Sequence, residues 1–123
     1  MRLLVVEDEP QIRELMSLLL DSLGLEVEVD YAGDGVEALK KAKLDPPDLV
    51  FLDIVLPKMD GITLCRVLKR DPVTRDVPVY MLTAKVRQAD HRAAEEAGAD
   101  GYLEKPFRAD QILAVIEGIL DGG

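Results

Sequence analysis

The chain has one cysteine, Cys65, and one histidine, His91, among its 123 residues. A lone thiol excludes a disulfide framework and any cysteine-based zinc site, and it fits a reducing compartment. Cys65 stands beside Leu64 and near Val67, where it reads as a small apolar side chain with no redox role. His91 stands among Arg92, Glu95 and Glu96, which marks it as a solvated surface residue. No signal-peptide pattern and no long apolar span occur, so the chain reads as soluble and cytoplasmic, without a membrane partner. Lys and Arg form no stripe, and the formal charge is −9. Affinity for a phosphate backbone comes mostly from clustered basic residues, so no direct nucleic-acid binding is expected. Internal repeats and low-complexity stretches are missing too.

What remains is 48% hydrophobic and 32% charged residues, enough to bury one core without staples. Five short apolar runs stand out: "LLVV" at 3–6, "EVEVDYA" at 26–32, "LVFL" at 49–52, "VPVYML" at 77–82 and "GYLE" at 101–104. Helical patterns lie between them. After Pro10, Ile12, Leu15, Met16, Leu19 and Leu23 recur at helical spacing, and Gly24 is placed to end that helix. Further helices are predicted over 35–43, 61–69 and 86–97, the last stopped by Gly98, and around Ile112, Leu113, Ile116, Ile119 and Leu120. Asp60 and Gly61 read as the start of the third helix. Strict β/α alternation implies a parallel sheet with right-handed crossovers and helices on both faces. The first, third and fourth runs are almost wholly apolar, as doubly covered strands are, whereas "EVEVDYA" alternates like an edge. The expected fold is therefore α/β, a doubly wound, flavodoxin-like three-layer sandwich whose five-stranded parallel sheet has the order 2-1-3-4-5.

In such a sheet, ligands bind beyond the strand C-terminal ends. There the sequence places Glu7 and Asp8 after the first strand, Asp53 at the end of the third, Thr83 at the end of the fourth and Lys105 with Pro106 after the fifth. Asp53 is expected at the exposed end of its strand. Crowded carboxylates raise one another's pKa unless a cation is present, and hard oxygen ligands in an open site suit magnesium. Three acidic charges would be met by two from Mg2+ and one from Lys105, leaving a near-neutral site able to receive a phosphoryl group. That chemistry needs a nucleophile, positive charge on the equatorial oxygens and a hydrogen-bond donor. Asp53, magnesium with Lys105, and Thr83 are the candidates. Simpler roles exist for each: Glu7 and Asp8 beside a helix N-terminus, Asp53 capping a turn, Thr83 as an N-cap, Lys105 as a solvated loop residue. Their coincidence at four strand ends favours the shared site.

These motifs together, "VVEDE" at 5–9, "DLVFLDIVLPKMDG" at 48–61, "MLTA" at 81–84 and "GADGYLEKPF" at 98–107, resemble the receiver domain of bacterial two-component response regulators, of the chemotaxis-regulator kind. The resemblance covers 1–121 as the receiver domain, with 122–123 as the start of a linker or a chain end. It implies that Asp53 is the phosphoacceptor, taking a phosphoryl group from a phosphohistidine on a sensor histidine kinase or phosphotransfer protein. Such a domain catalyses its own phosphotransfer and dephosphorylation and is no turnover enzyme. Asp8 and Asp53 would ligate Mg2+ directly, Glu7 through water, and the Val55 carbonyl would add a backbone ligand. Thr83 and Lys105 would hold the phosphoryl oxygens, Tyr102 would change rotamer on activation, and the Lys105–Pro106 bond would be cis. Glu7 stands where many members have aspartate, leaving a longer, more flexible acid.

Gly101 before Tyr102 and Val115 in the last helix depart from members that dimerise through helix four, strand five and helix five. A monomer or weak dimer is expected, and "LKRDPVTRDVPVYMLTA" is closer to stand-alone or cyclase-linked receivers than to the DNA-binding group. The output domain or downstream partner is left unassigned. Helix four would face inward through Val86, Ala89, Ala93 and Ala97, small residues that anchor it loosely and let it shift with strand five and helix five. Val55 and Lys85, each two residues beyond a site residue, are expected to tune water access to the acyl phosphate. Of three rivals, two differ at identifiable positions. A haloacid dehalogenase-type phosphatase needs a second aspartate at Val55, and an FMN-binding flavodoxin needs hydroxyls where this chain has "EDEP". A receiver-like interaction module that never takes phosphate would lack reactivity at Asp53.

Overall fold

Apolar runs too short for helices and covered on both faces form the centre of the sheet. The computed structural model describes residues 1–84 and 88–122, and the side chains of all of these except Gln88 and Ala89. The elements alternate as β1 (Arg2–Val6), α1 (Pro10–Ser22), β2 (Glu28–Ala32), α2 (Gly35–Leu44), β3 (Leu49–Asp53), α3 (Gly61–Arg70), β4 (Val79–Thr83), α4 (Gln88–Ala97), β5 (Gly101–Glu104) and α5 (Ala109–Gly122). The sheet has the order β2-β1-β3-β4-β5, and its strand pairs are parallel. This is the doubly wound, flavodoxin-like arrangement expected from the pattern.

Alternate side chains of one strand serve opposite faces, so the core is double. Leu4, Val6, Val50, Leu52, Val79 and Met81 pack with Ala38 and Ala42 of α2, Leu64, Cys65 and Leu68 of α3, and Ala94 and Ala97 of α4. Leu3, Val5, Leu49, Phe51 and Leu82 pack on the other side with Met16 and Leu20 of α1 and Ile112 and Ile116 of α5. β3 is buried at all five positions, whereas β2 exposes Glu28 and Asp30, as an edge strand does. Cys65 is buried, its thiol donating to the Ala97 carbonyl at 3.8 Å, and burial pushes its pKa up to about 11. That fits the structural role read for it.

Side chains mark the helix starts. Asp34 accepts from the Glu37 amide at 2.8 Å, and Asp60 accepts from the Thr63 amide at 2.8 Å, so both satisfy first-turn donors. Gly24 and Gly98 follow α1 and α4 with φ of +66° and +94°, a conformation glycine adopts without steric cost. Gly61 serves a different need. A Cβ there would collide with the Asp53 carbonyl and lie 2.8 Å from Ile54 Cα. α3 can therefore start directly against the end of β3, with the Gly61 amide donating to the Ile54 carbonyl at 2.8 Å.

Three expectations need correction. β4 begins at Val79 rather than 77, since Pro78 has no amide to donate to a ladder and stands just ahead of the strand, and it ends at Thr83 as expected. The inward stripe of α4 runs through Ala94 and Ala97, with Ala93 only half-buried. Three-residue spacing from Ala94 also brings His91 onto that stripe, so His91 is half-buried rather than solvated. Val86, the Ala89 side chain and Lys85 lie outside the described residues. In α5, Ile112 and Ile116 are fully buried while Leu120 is largely exposed.

The two sorts of helical glycine predict opposite outcomes in urea denaturation. Gly61→Ala forces backbone apart and destabilises by about 1–3 kcal/mol. Gly118→Ala in α5, where a Cβ would meet nothing within 4 Å, stabilises by about 0.5–1 kcal/mol. Equal effects at the two sites would contradict the packing described.

Candidate functional site

The sheet order sets β1 beside β3, and their C-terminal ends carry the acids. The Glu7 amide donates to the Ala32 carbonyl at 3.0 Å, extending the β1–β2 register by one residue beyond the strand. This turns the Glu7 side chain inward and leaves Asp8 exposed. The Ile54 amide donates to the Leu82 carbonyl at 3.2 Å, and the Lys105 amide to the Thr83 carbonyl at 2.6 Å. Backbone bonds thus bring Asp53, Thr83 and Lys105 to one rim.

Lys105 Nζ lies 2.9 Å from Glu7 Oε1 and 3.1 Å from Asp53 Oδ2, so one ammonium group bridges two carboxylates. Asp53 Oδ1 accepts from the Val55 amide at 3.1 Å, and Glu7 Oε2 from the Glu9 amide at 3.3 Å. Glu7 is fully buried and Asp53 only 5% exposed. Two sequence expectations therefore change. Asp53 is a buried, paired charge rather than one at an exposed strand end, and Glu7 has both carboxylate oxygens engaged rather than free to flex. Burial pushes the Glu7 pKa up to about 7, against the Lys105 hydrogen bond and with the nearby Asp53 charge adding to the rise. Burial disfavours charged Lys105, but its bonds to Glu7 and Asp53 outweigh this and raise its pKa.

Asp8, Glu9, Asp53, Val55, Thr83, Asp90 and Lys105 line a cleft of about 530 Å³, together with Ile54 and Ala84. Thr83 is buried at its edge, and Val55 is 78% exposed. Carboxylate oxygens of Glu7, Asp8 and Asp53 lie within 4.8 Å of one another. Three hard oxygen donors beside an open cleft fit a magnesium ion, which keeps several waters. The arrangement can therefore hold a small divalent cation next to the Asp53 carboxylate and the Lys105 ammonium group.

Tyr102 stands apart from the cleft. It is 48% exposed, and its ring centroid lies 4.1 Å from that of His91 with the planes tilted by 41°. His91 Nε2 is buried with no hydrogen-bond partner among the described residues. The expected Lys105–Pro106 cis bond is present. Sequence reasoning missed Glu9 and Asp90 as lining residues. The signal for Asp90 was available, since an acid in the first turn of a helix that follows Thr83 must face the same strand ends.

Among the described residues, no helix is long and apolar enough to cross a membrane. The family model for the response regulator receiver domain matches residues 3–117. The chain is 41% identical over 119 residues to the DNA-binding dual master transcriptional regulator RpaA of Synechocystis sp., covering 97% of this chain and 48% of that protein. It thus spans about half the length of the curated relatives it matches. The expectations of no nucleic-acid contact and of distance from the DNA-binding group find no support in relatives so named. A crystal structure of a putative response regulator from Chloroflexus aurantiacus superposes with a TM-score of 0.89 at 37% identity, covering 98% of this chain and 97% of that one. The receiver domain of sensor histidine kinase PA1611 from Pseudomonas aeruginosa, crystallised with magnesium in its active-site cleft, gives a TM-score of 0.86 at 31% identity over 94% of this chain and 93% of that one. With its sheet order, acid cluster and lysine in that company, the chain belongs to the response regulator receiver domain family of two-component signalling.

Proposed function

We propose that the chain is a phosphorylation-activated switch that accepts a phosphoryl group onto Asp53 from the phosphohistidine of a sensor kinase or phosphotransfer protein. The observation that carries this reading is Lys105 Nζ lying 3.1 Å from Asp53 Oδ2 and 2.9 Å from Glu7 Oε1 beside an open acidic cleft. An Asp53 oxygen attacks phosphorus, the bond from phosphorus to the donor imidazole nitrogen breaks, and that nitrogen keeps the electron pair. Lys105 sets positive charge beside the incoming phosphoryl oxygens, and the Thr83 hydroxyl donates to one of them. Asp8, Asp53 and the Val55 carbonyl would hold Mg2+ directly and Glu7 would do so through water, and the ion would supply positive charge against the phosphoryl oxygens. The chain promotes the gain and loss of its own acyl phosphate and turns over no external substrate. Exposed Val55 stands at the cleft mouth, where it limits water access to that bond.

The signal leaves through α4, β5 and α5. Among the described side chains of α4, the buried ones are Ala94 and Ala97, so little apolar area there opposes its movement. A phosphoryl group that accepts a hydrogen bond from Thr83 pulls on the first turn of α4, and Tyr102 on β5 repacks. Tyr102 leaves its His91 contact when it does so. The altered surface then controls an output domain or a separate partner in the cytoplasm.

Mass spectrometry after incubation with magnesium and a small phosphodonor tests this directly. The wild type gains one phosphoryl mass and Asp53→Asn none, and amide exchange in α4 changes only in the wild type. No mass gain would favour an interaction module that takes no phosphate, and unchanged exchange would refute the α4 route.

The metal-free site also predicts a pH dependence. Glu7 titrates near 7 when folded against 4.5 ordinarily, so the native state holds that proton more tightly than the unfolded state. Stability is then full below about 4.5 and declines as pH rises to about 7. In chelator, the melting temperature should fall across that window, and Glu7→Gln should flatten the fall. An equal slope in both proteins would show that Glu7 is not the titrating group.

A further inference from the structure

Arg13, in the first turn of α1, is absorbed by no step above, yet it touches the backbone of the acid-bearing loop. Its Nε donates to the Glu7 carbonyl at 2.6 Å. The Glu7 amide on the other side of that residue donates to the Ala32 carbonyl at 3.0 Å. Glu7 is thus pinned at both backbone polar groups, one from β2 and one from α1. The guanidinium is fixed in its turn. It lies 5.8 Å from the Tyr31 ring centroid, and Nη2 sits against Gly33, where a Cβ would come within 2.9 Å of it. One side chain therefore spans α1, the β1–α1 loop and the end of β2.

Fixing both ends of the Glu7 residue sets its side chain inward toward Lys105 and sends Asp8 outward into the cleft. We infer that Arg13 is a positioning residue for the metal-binding acids, acting through the Glu7 carbonyl rather than by contact with the ion. The inference rests on the magnesium site proposed above. Charge alone predicts the opposite result. Deleting a cation near an acidic cleft should tighten binding of Mg2+, because unlike charges at the site gain and like charges repel. Weaker binding after loss of Arg13 therefore reports lost geometry.

The variants separate donor from charge. In Arg13→Met the atom at the Nε position cannot donate. In Arg13→Gln the amide nitrogen occupies that position and donates without charge. Arg2→Ala is the control for general loosening, since Arg2 bonds the Asp45 carbonyl from the opposite end of β1. Magnesium affinity by calorimetry should fall about tenfold in Arg13→Met, in the range typical for outer partners of metal ligands. Arg13→Gln should recover the wild-type affinity or exceed it, and Arg2→Ala should leave it unchanged. In chelator, the Glu7 amide should exchange faster in Arg13→Met than in wild type, a readout that needs no metal. The inference is overturned if Arg13→Met binds magnesium as tightly as wild type, if Arg13→Gln is as weak as Arg13→Met, or if Arg2→Ala weakens binding as much. A wild type that binds no magnesium would instead overturn the metal site itself and the inference with it.

Discussion

Two buried carboxylates share one ammonium group, and the rest of the site depends on that arrangement. Glu7 and Asp53 sit at the ends of adjacent strands, and Lys105 reaches both from the loop after β5. Either acid alone would be costly to bury in charged form. Breaking a buried ion pair by removing one partner costs more than the pair contributes, so the three residues stand or fall together. The excess negative charge of Asp8 at the cleft mouth has no such internal partner among the described residues, and it faces the space where a cation fits.

The fold places these groups by backbone bonding more than by side-chain choice. β1 and β3 are neighbours only because the chain winds outward in both directions from β1, which opens a crevice at their ends. The crevice is sharpened by the absence of a side chain at Gly61, which lets α3 begin against the Asp53 carbonyl. It is steadied on the β2 side by Arg13, which ties α1 to the Glu7 carbonyl. Rigid support on that side contrasts with α4, where the buried side chains among the described residues are two alanines. A site held firmly along β1 and β3 and loosely along β4 and α4 can turn a local charge change into movement of one face.

Much of this was legible in the sequence because parallel strands buried on both faces read as short, unbroken apolar runs. Leu49, Val50, Phe51 and Leu52 announced β3 and placed Asp53 at its end, and the helical spacing of Ile12, Leu15, Met16, Leu19 and Leu23 announced α1. Burial at the strand ends was less legible. Asp53 was expected at the exposed end of its strand with Lys105 offsetting its charge; the partner, fifty-two residues away in the chain, was legible, but the burial of the pair was not. His91 was misread for a similar reason: its sequence neighbours are charged, but those at three-residue spacing, Ala94 and Ala97, face the core. The Gly61 contact and the Arg13 bond were invisible, since each joins segments whose approach is set by tertiary packing.

The shared ammonium group is most directly tested by thermal unfolding of Lys105→Met at pH 8, with chelator and with magnesium. If Lys105 compensates Glu7 and Asp53, the variant melts well below wild type in chelator, and magnesium raises its melting temperature by more than it raises that of wild type. A variant that melts with wild type in chelator and gains no more from magnesium would contradict the account.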